Sequence, residues 1–248
     1  MRNICIFLIL LSSGSSEISD DLFYEGNTSM VQERYDDAIQ TYESILALGY
    51  ESGELYYNLG NAYYRKDYLG QAIWAYSKAK DLLPRDINVK HNLEVSIAER
   101  IDRIDMPKPF FILKIYRGIK SKYNLQEWIL FGSTILLVQA ILIFGIQVGW
   151  LNRNFNQLFV PMLTSVVISI HGITMDKYLE NNNKHTGIVI ANDINAYSGP
   201  YFGDNTILFQ INEGSNVDIQ QSQKDWVEVL LIDGKKGWVP SESVRKLK

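Results

Sequence analysis

The sequence predicts a multidomain chain: an all-α region of repeated helix pairs, a two-helix transmembrane hairpin, and a C-terminal all-β barrel. Three observations predict it. Residues 128–148 form an uncharged run of 21, and residues 158–175 a run of 18 whose only ionisable group is His171. Both approach the ~20 apolar residues that carry a helix across about 30 Å of hydrocarbon. Upstream, the chain repeats itself with a period of 34 residues. Downstream of Lys184 the pattern turns to short alternating runs separated by turn residues.

Composition narrows the function. A formal net charge of −4 leaves no basic excess for a nucleic-acid partner. Cys5, the sole cysteine, lies in a segment read as removed, so the mature chain has no disulfide, thiol nucleophile or cysteine ligand. His91, His171 and His185 fall in three different segments without ligand spacing. No serine, histidine and acid form a recognisable nucleophile set, and no phosphate loop or metal cluster is present. The expectation is a protein that is not an enzyme and takes no cofactor.

Residues 1–16 have the layout of a signal peptide: Arg2, an apolar core from Ile4 to Leu11, then small polar residues to Ser16. Gly14 and Ser16 suit cleavage before Glu17. Export would place the chain from Glu17 onward outside the cytoplasm.

Residues 17–104 carry the repeat. Gly26 and Gly60, Asn27 and Asn61, Ala38 and Ala72, Ile39 and Ile73, and Tyr42 and Tyr76 are each 34 apart. The second copy, with Tyr56, Leu59, Gly60, Tyr63, Ala72, Tyr76, Ala79 and Pro84 at fixed offsets, resembles the tetratricopeptide repeat. Gly60 and Ala72 permit close helix approach, and Pro84 cannot continue a helix. The first copy is degenerate, with Glu25 and Ser29 at apolar positions. Asp86 caps a closing helix from Ile87 to about Asp102. Two repeats and a cap fall short of the three or so that such stacks need, so a partner or the membrane surface is expected to complete the core. The inward positions, Phe23, Asn27, Tyr57, Asn61, Tyr64, Arg65 and His91, form the expected partner-binding surface. Asn27 and Asn61 either hold the backbone of an extended ligand or bond within the repeats. Tetratricopeptide proteins that clamp a terminal carboxylate use asparagines at equivalent places beside cations; here Phe23 and Tyr57 stand where those cations would be.

Residues 105–127 form a basic linker. Lys108, Lys114, Arg117, Lys120 and Lys122 alternate with Ile112, Ile115, Tyr116, Ile119 and Tyr123 at helical spacing, the pattern of an interfacial helix on an anionic bilayer. Trp128 and Trp150 bracket the first span, residues 128–148, as interfacial aromatics do. A short loop, 149–157, with the single charge Arg153, returns the chain into the second span, 158–175, so both flanks share one side. The basic flank opposes the positive-inside tendency; the export signal and the long translocated region are taken to prevail. Gln139 lies at the depth of Thr164 and Ser165 and is expected to tie the spans together. His171 is read as a solvated residue near the outer interface.

Residues 184–248 read as a small closed barrel with runs at Gly187–Ala191, Ile207–Ile211, Val217–Gln220, Trp226–Ile232 and Gly237–Val239, and a hairpin turn at Asp233-Gly234. Asp225-Trp226-Val227 followed by Gly237-Trp238-Val239-Pro240 resembles a bacterial SH3 domain. That resemblance implies ligand binding at Tyr197, Tyr201, Trp226, Trp238 and Pro240, although Ser243 replaces a groove tyrosine of eukaryotic SH3 domains. The competing reading of Trp226 and Trp238 is core filling.

The order of signal, repeats, basic linker, two spans and terminal SH3-like module resembles the BatE family of the bacterial aerotolerance (Bat) operon, with Leu55-Tyr56-Tyr57-Asn58-Leu59-Gly60-Asn61 and Gly237-Trp238-Val239-Pro240 as its motifs. The resemblance implies an inner-membrane scaffold with both soluble parts in the periplasm. It would work with von Willebrand A-domain Bat proteins and a MoxR-type ATPase in envelope stress tolerance. The alternative is a cell-wall tether that holds peptidoglycan through the barrel.

Overall fold

The computed structural model describes residues 19–102, 110–150, 154–183 and 185–247. The expected signal peptide, Lys108 of the linker, and Arg153 of the hairpin loop lie outside the described residues. The chain divides into two compact units: the residues before Pro107 together with His185–Leu247, and Pro107–Lys184.

In the first unit, α1 (residues 19–31), α2 (Tyr35–Ala47), α3 (Gly53–Arg65), α4 (Leu69–Leu82) and α5 (Ile87–Glu99) pack in succession. The 34-residue period is geometric as well as chemical. Glu33 and Asp67, at the turns before α2 and α4, share a left-handed φ of 58°. Gly26 faces the ring of Tyr42 as Gly60 faces that of Tyr76, and a Cβ on Gly60 would stand 2.6 Å from Tyr76 Cδ1. Ser52 caps α3 through Leu55 N–H, and Asp86 caps α5 through the N–H groups of Asn88 and Val89.

The same unit holds β1 (Thr186–Val189), β2 (Ile194–Tyr197), β3 (Ile207–Ile211), β4 (Asn216–Gln223), β5 (Trp226–Leu231), β6 (Lys236–Pro240) and β7 (Val244–Lys246). They form one antiparallel sheet in the order β3-β2-β6-β5-β4-β1-β7. The ladder ends at β3 and β7, which do not pair with each other, so its hydrogen bonding does not close into the expected ring. β2 has no counterpart in the sequence expectations, because Asp193 and Asn195 beside Ile194 and Ala196 read as loop. β5 stops at Leu231; Ile232 is exposed and joins the Asp233-Gly234 turn, where Gly234 adopts φ 88°. Val189, Ala196, Ile211, Val217, Val227, Val229 and Val239 are among the core of the sheet.

The two soluble parts, expected as separate domains, are joined. β1 is buried on both faces: Val189 enters the sheet core while Ile188 joins the helical core, with Leu247 packed beside it. The sheet of this chain thus covers the short helical stack that was expected to need a partner or a membrane.

The second unit contains α6 (Phe111–Ser121), α7 (Leu125–Gln147) and α8 (Asn154–Asn183). Asn124 and Glu127 form a capping box at the start of α7. Segments Leu125–Gln147 and Phe159–Asn182 are long and apolar enough to cross a membrane, and only 11% and 0% of an apolar 18-residue window in each is buried, so neither packs as a core helix of this chain. Gln139 Nε2 donates to Thr164 Oγ1 at 2.6 Å, the expected tie between the two. His171 is exposed, with Nδ1 2.8 Å from Val167 O and its ring against Gly132. α8 runs past Met175 into a polar turn that captures Lys120: its ammonium lies 2.7 Å from Asp176 and 2.8 Å from Glu180. Lys120 is therefore paired within the protein, and the Tyr116 hydroxyl likewise donates to Asp176. Phe111, Ile112, Ile115 and Ile119 of α6 remain exposed.

Candidate functional site

The inward side chains of the helical stack are held by a polar seam that repeats with the chain. Tyr42 donates its hydroxyl to Asn27 Oδ1 at 2.7 Å, and Asn58 Nδ2 donates to the same oxygen at 2.8 Å. One period later Tyr76 donates to Asn61 Oδ1 at 2.8 Å and Asn92 Nδ2 donates at 3.0 Å. Burial pushes the Tyr42 hydroxyl up to about 12 and raises that of Tyr76 as well, so both are neutral donors across the physiological range. Each seam asparagine on α3 or α5 reaches back to the preceding first helix of a pair. Position 24, one period before Asn58, is an exposed tyrosine, and position 95, which lies one helical turn beyond Asn92, is valine. Of the two readings of Asn27 and Asn61, intra-repeat bonding is realised, and it consumes their oxygens. Among the described residues, neither Nδ2 has an acceptor.

Tyr57, Asn61, Tyr64, Arg65 and His91 line one groove of about 550 Å3, together with Met30, Tyr76, Asn92 and Val95. Asn92 Nδ2 also donates to the Tyr57 hydroxyl at 3.4 Å. Tyr64 donates to Glu99 at 2.6 Å, which raises its own pKa. Phe23 and Asn27 do not line this groove. Phe23 packs on Tyr42 with ring centroids 6.1 Å apart and borders a separate cavity with Ile45 and Tyr50. Asn58 and Asn92 were not among the expected site residues, yet their 34-residue spacing was a signal as clear as that of Asn27 and Asn61.

On the sheet, Tyr197, Trp226 and Phe202 form an aromatic cluster, with centroids 5.6 Å apart for Tyr197–Trp226 and 4.7 Å for Phe202–Trp226. Phe202 is 71% exposed and Tyr201 55%, so the cluster opens to solvent. Pro240 is in register with Trp226, and Trp238 with Tyr197 and Glu228. Strand alternation sends Val227, Val229 and Val239 into the core, leaving both tryptophans half-exposed on the other face rather than filling the interior. Phe202 was missed because the loop holding it shows no periodicity.

A third set of residues joins helices to sheet. The Arg245 guanidinium lies 3.4 Å from the ring centre of Trp74, pairs with Glu43 at 2.8 Å and donates to Tyr63 Oη at 3.0 Å. Trp74 Nε1 donates to Lys246 O at 2.8 Å, and Gly70 N to Glu213 at 2.9 Å. Asp102 accepts from Asn212 N at 2.8 Å, from Asn212 Nδ2 at 3.0 Å and from Ser215 Oγ at 3.2 Å. Burial alone would raise the Asp102 carboxyl, but those three donors outweigh it and hold it below the usual aspartate range. A depressed carboxyl stabilises the fold above the unfolded aspartate pKa of about 3.9, and that contribution is lost as pH falls through the folded value. Acidification below about pH 4 is expected to loosen the sheet from the helices; Asp102→Asn should flatten that slope, read by hydrogen exchange at Asn212 and Ser215.

Among the described residues, no group of three or more His, Cys, Asp or Glu side chains is placed to hold a metal ion. No protein-family model matches the chain, and a search of curated proteins finds no match.

Proposed function

We propose that the protein is a membrane-anchored, non-enzymatic scaffold. Its tetratricopeptide-like repeats hold a partner polypeptide, and an SH3-like sheet presents a second ligand surface. The observation that carries this reading is the groove, where Tyr57, Asn61, Tyr64, Arg65 and His91 converge on open space. Coincidence of the 34-residue period with helix pairs supports the repeat reading. The Asp233-Gly234 hairpin and the Trp226–Pro240 register support the SH3-like one. Two helices of spanning length support an anchor, which the signal-like start would orient with both soluble parts in the periplasm of a bacterial inner membrane. In the BatE-like reading the partners are von Willebrand A-domain Bat proteins in an envelope or oxidative stress complex. Photoreactive groups placed at Tyr57 and Trp226 of the full chain in native membranes are expected to crosslink to different envelope proteins, identified by mass spectrometry. An absence of protein adducts from Tyr57 would defeat the scaffold.

The exposed cluster of Tyr197, Phe202 and Trp226 favours a second reading, a cell-wall tether, because flat aromatic faces suit peptidoglycan as well as peptides. Full-length protein in detergent retained on purified sacculi, and released by Trp226→Ala, would favour the tether. No retention would favour the scaffold.

A further inference from the structure

We infer that the repeat groove takes an acidic polypeptide in extended form, with a carboxylate drawn to Arg65 and His91 and a main-chain carbonyl received by the Asn61 amide. This rests on the scaffold reading and names the chemistry of its ligand. Hydrogen-bond supply in the groove is lopsided. Asn61 Oδ1 already accepts from Tyr76 and Asn92, so the group it has left to offer is Nδ2, a donor of two N–H bonds. Asn27, outside the groove, repeats that arrangement one helix pair earlier, its oxygen taken by Tyr42 and Asn58. The Tyr57 hydroxyl receives Asn92 Nδ2 and keeps its own proton to give. A ligand rich in acceptors and extended enough to meet successive repeats satisfies them, which describes a polypeptide backbone.

Charge supplies the second observation. Among the described residues Arg65 and His91 line the groove and no carboxylate does, on a chain whose formal charge is −4. Glu99, bonded to the Tyr64 hydroxyl, lines a different cavity, together with Asp67 and Glu213. Arg65 also ends α3, where a cation favours the helix C-terminus, but that role does not require the surrounding wall to lack acids. Met30 and Val95 give the groove apolar footing for alternate side chains, as a strand-like ligand presents them.

The test uses full-length protein in neutral detergent and fluorescence anisotropy of three labelled decapeptides of equal length: alternating alanine–aspartate, alanine–asparagine and alanine–lysine. The aspartate peptide is expected to bind at least tenfold tighter than the asparagine peptide, about the scale of one charge-assisted hydrogen bond. Arg65→Gln should remove that margin, bringing the aspartate peptide to within about twofold of the asparagine peptide measured on the same variant. Arg65→Glu should turn the preference toward lysine, a result that a misfolded groove cannot produce. Equal binding of aspartate and asparagine peptides, both lost in Tyr57→Ala, would overturn the acidic preference while the peptide groove stands. Tight aspartate binding untouched by Arg65→Gln would overturn it too. Binding of none of the three, with no protein adducts from Tyr57, would overturn both the preference and the scaffold reading beneath it.

Discussion

Replacing Gly70 with valine is expected to loosen the β-sheet from the helices. A Cβ at that position would stand 2.5 Å from Val189 O and 2.9 Å from Ile190 Cα. Both are backbone atoms, which cannot swing aside as a side-chain tip can. Separation would sacrifice the Gly70 bond to Glu213 and the fit that brings Trp74 to Lys246 and beneath Arg245. Overpacking of this kind typically costs about 1–3 kcal/mol, and the lost hydrogen bonds add about 1 kcal/mol each. Hydrogen exchange at the Trp74 indole N–H and at β7 should accelerate strongly, and proteolysis near Asp102 should rise. Unchanged exchange at Trp74 would mean that the joint does not depend on this close approach.

Gly60→Leu should produce the largest loss within the repeats. The new Cβ would lie 2.6 Å from Tyr76 Cδ1 and 2.7 Å from Cε1. That ring is fully buried, and its hydroxyl is bonded to Asn61, so moving it breaks the seam that shapes the groove. A cost on the order of 3 kcal/mol is a large share of the roughly 5–15 kcal/mol that domains typically possess. The two helices long and apolar enough to cross a membrane belong to the other compact unit, so detergent extraction behaviour should not change while partner co-purification disappears. Normal co-purification would count against the repeats as the docking surface.

Much of the site was legible because it is periodic. The spacing of Asn27 and Asn61, Tyr42 and Tyr76, and Gly26 and Gly60 locates the helix pairs and their inward faces. Asp86 marks the start of α5 and Asp233-Gly234 the β5–β6 turn, each through chemistry confined to a few residues. The role of those asparagines was not legible. A periodic amide facing inward serves equally well for a ligand or for the neighbouring helix, and only the 2.7–2.8 Å approach of Tyr42 and Asn58 to Asn27 shows that its oxygen serves the helices.

The sequence by itself determined what depends on neighbours along the chain: the repeat, the caps, the two apolar runs and the alternation of β5 and β6. The tertiary structure alone decided that helices and sheet form one unit. Its joint pairs Glu43, Tyr63 and Trp74 with Arg245 and Lys246, across separations of 172–202 residues. Taken singly, Arg245 is a surface cation and Trp74 one more aromatic in a helix. Their worth to each other arises when folding stacks the guanidinium on the indole and brings the half-buried Glu43 carboxylate to it, and no local pattern records that proximity.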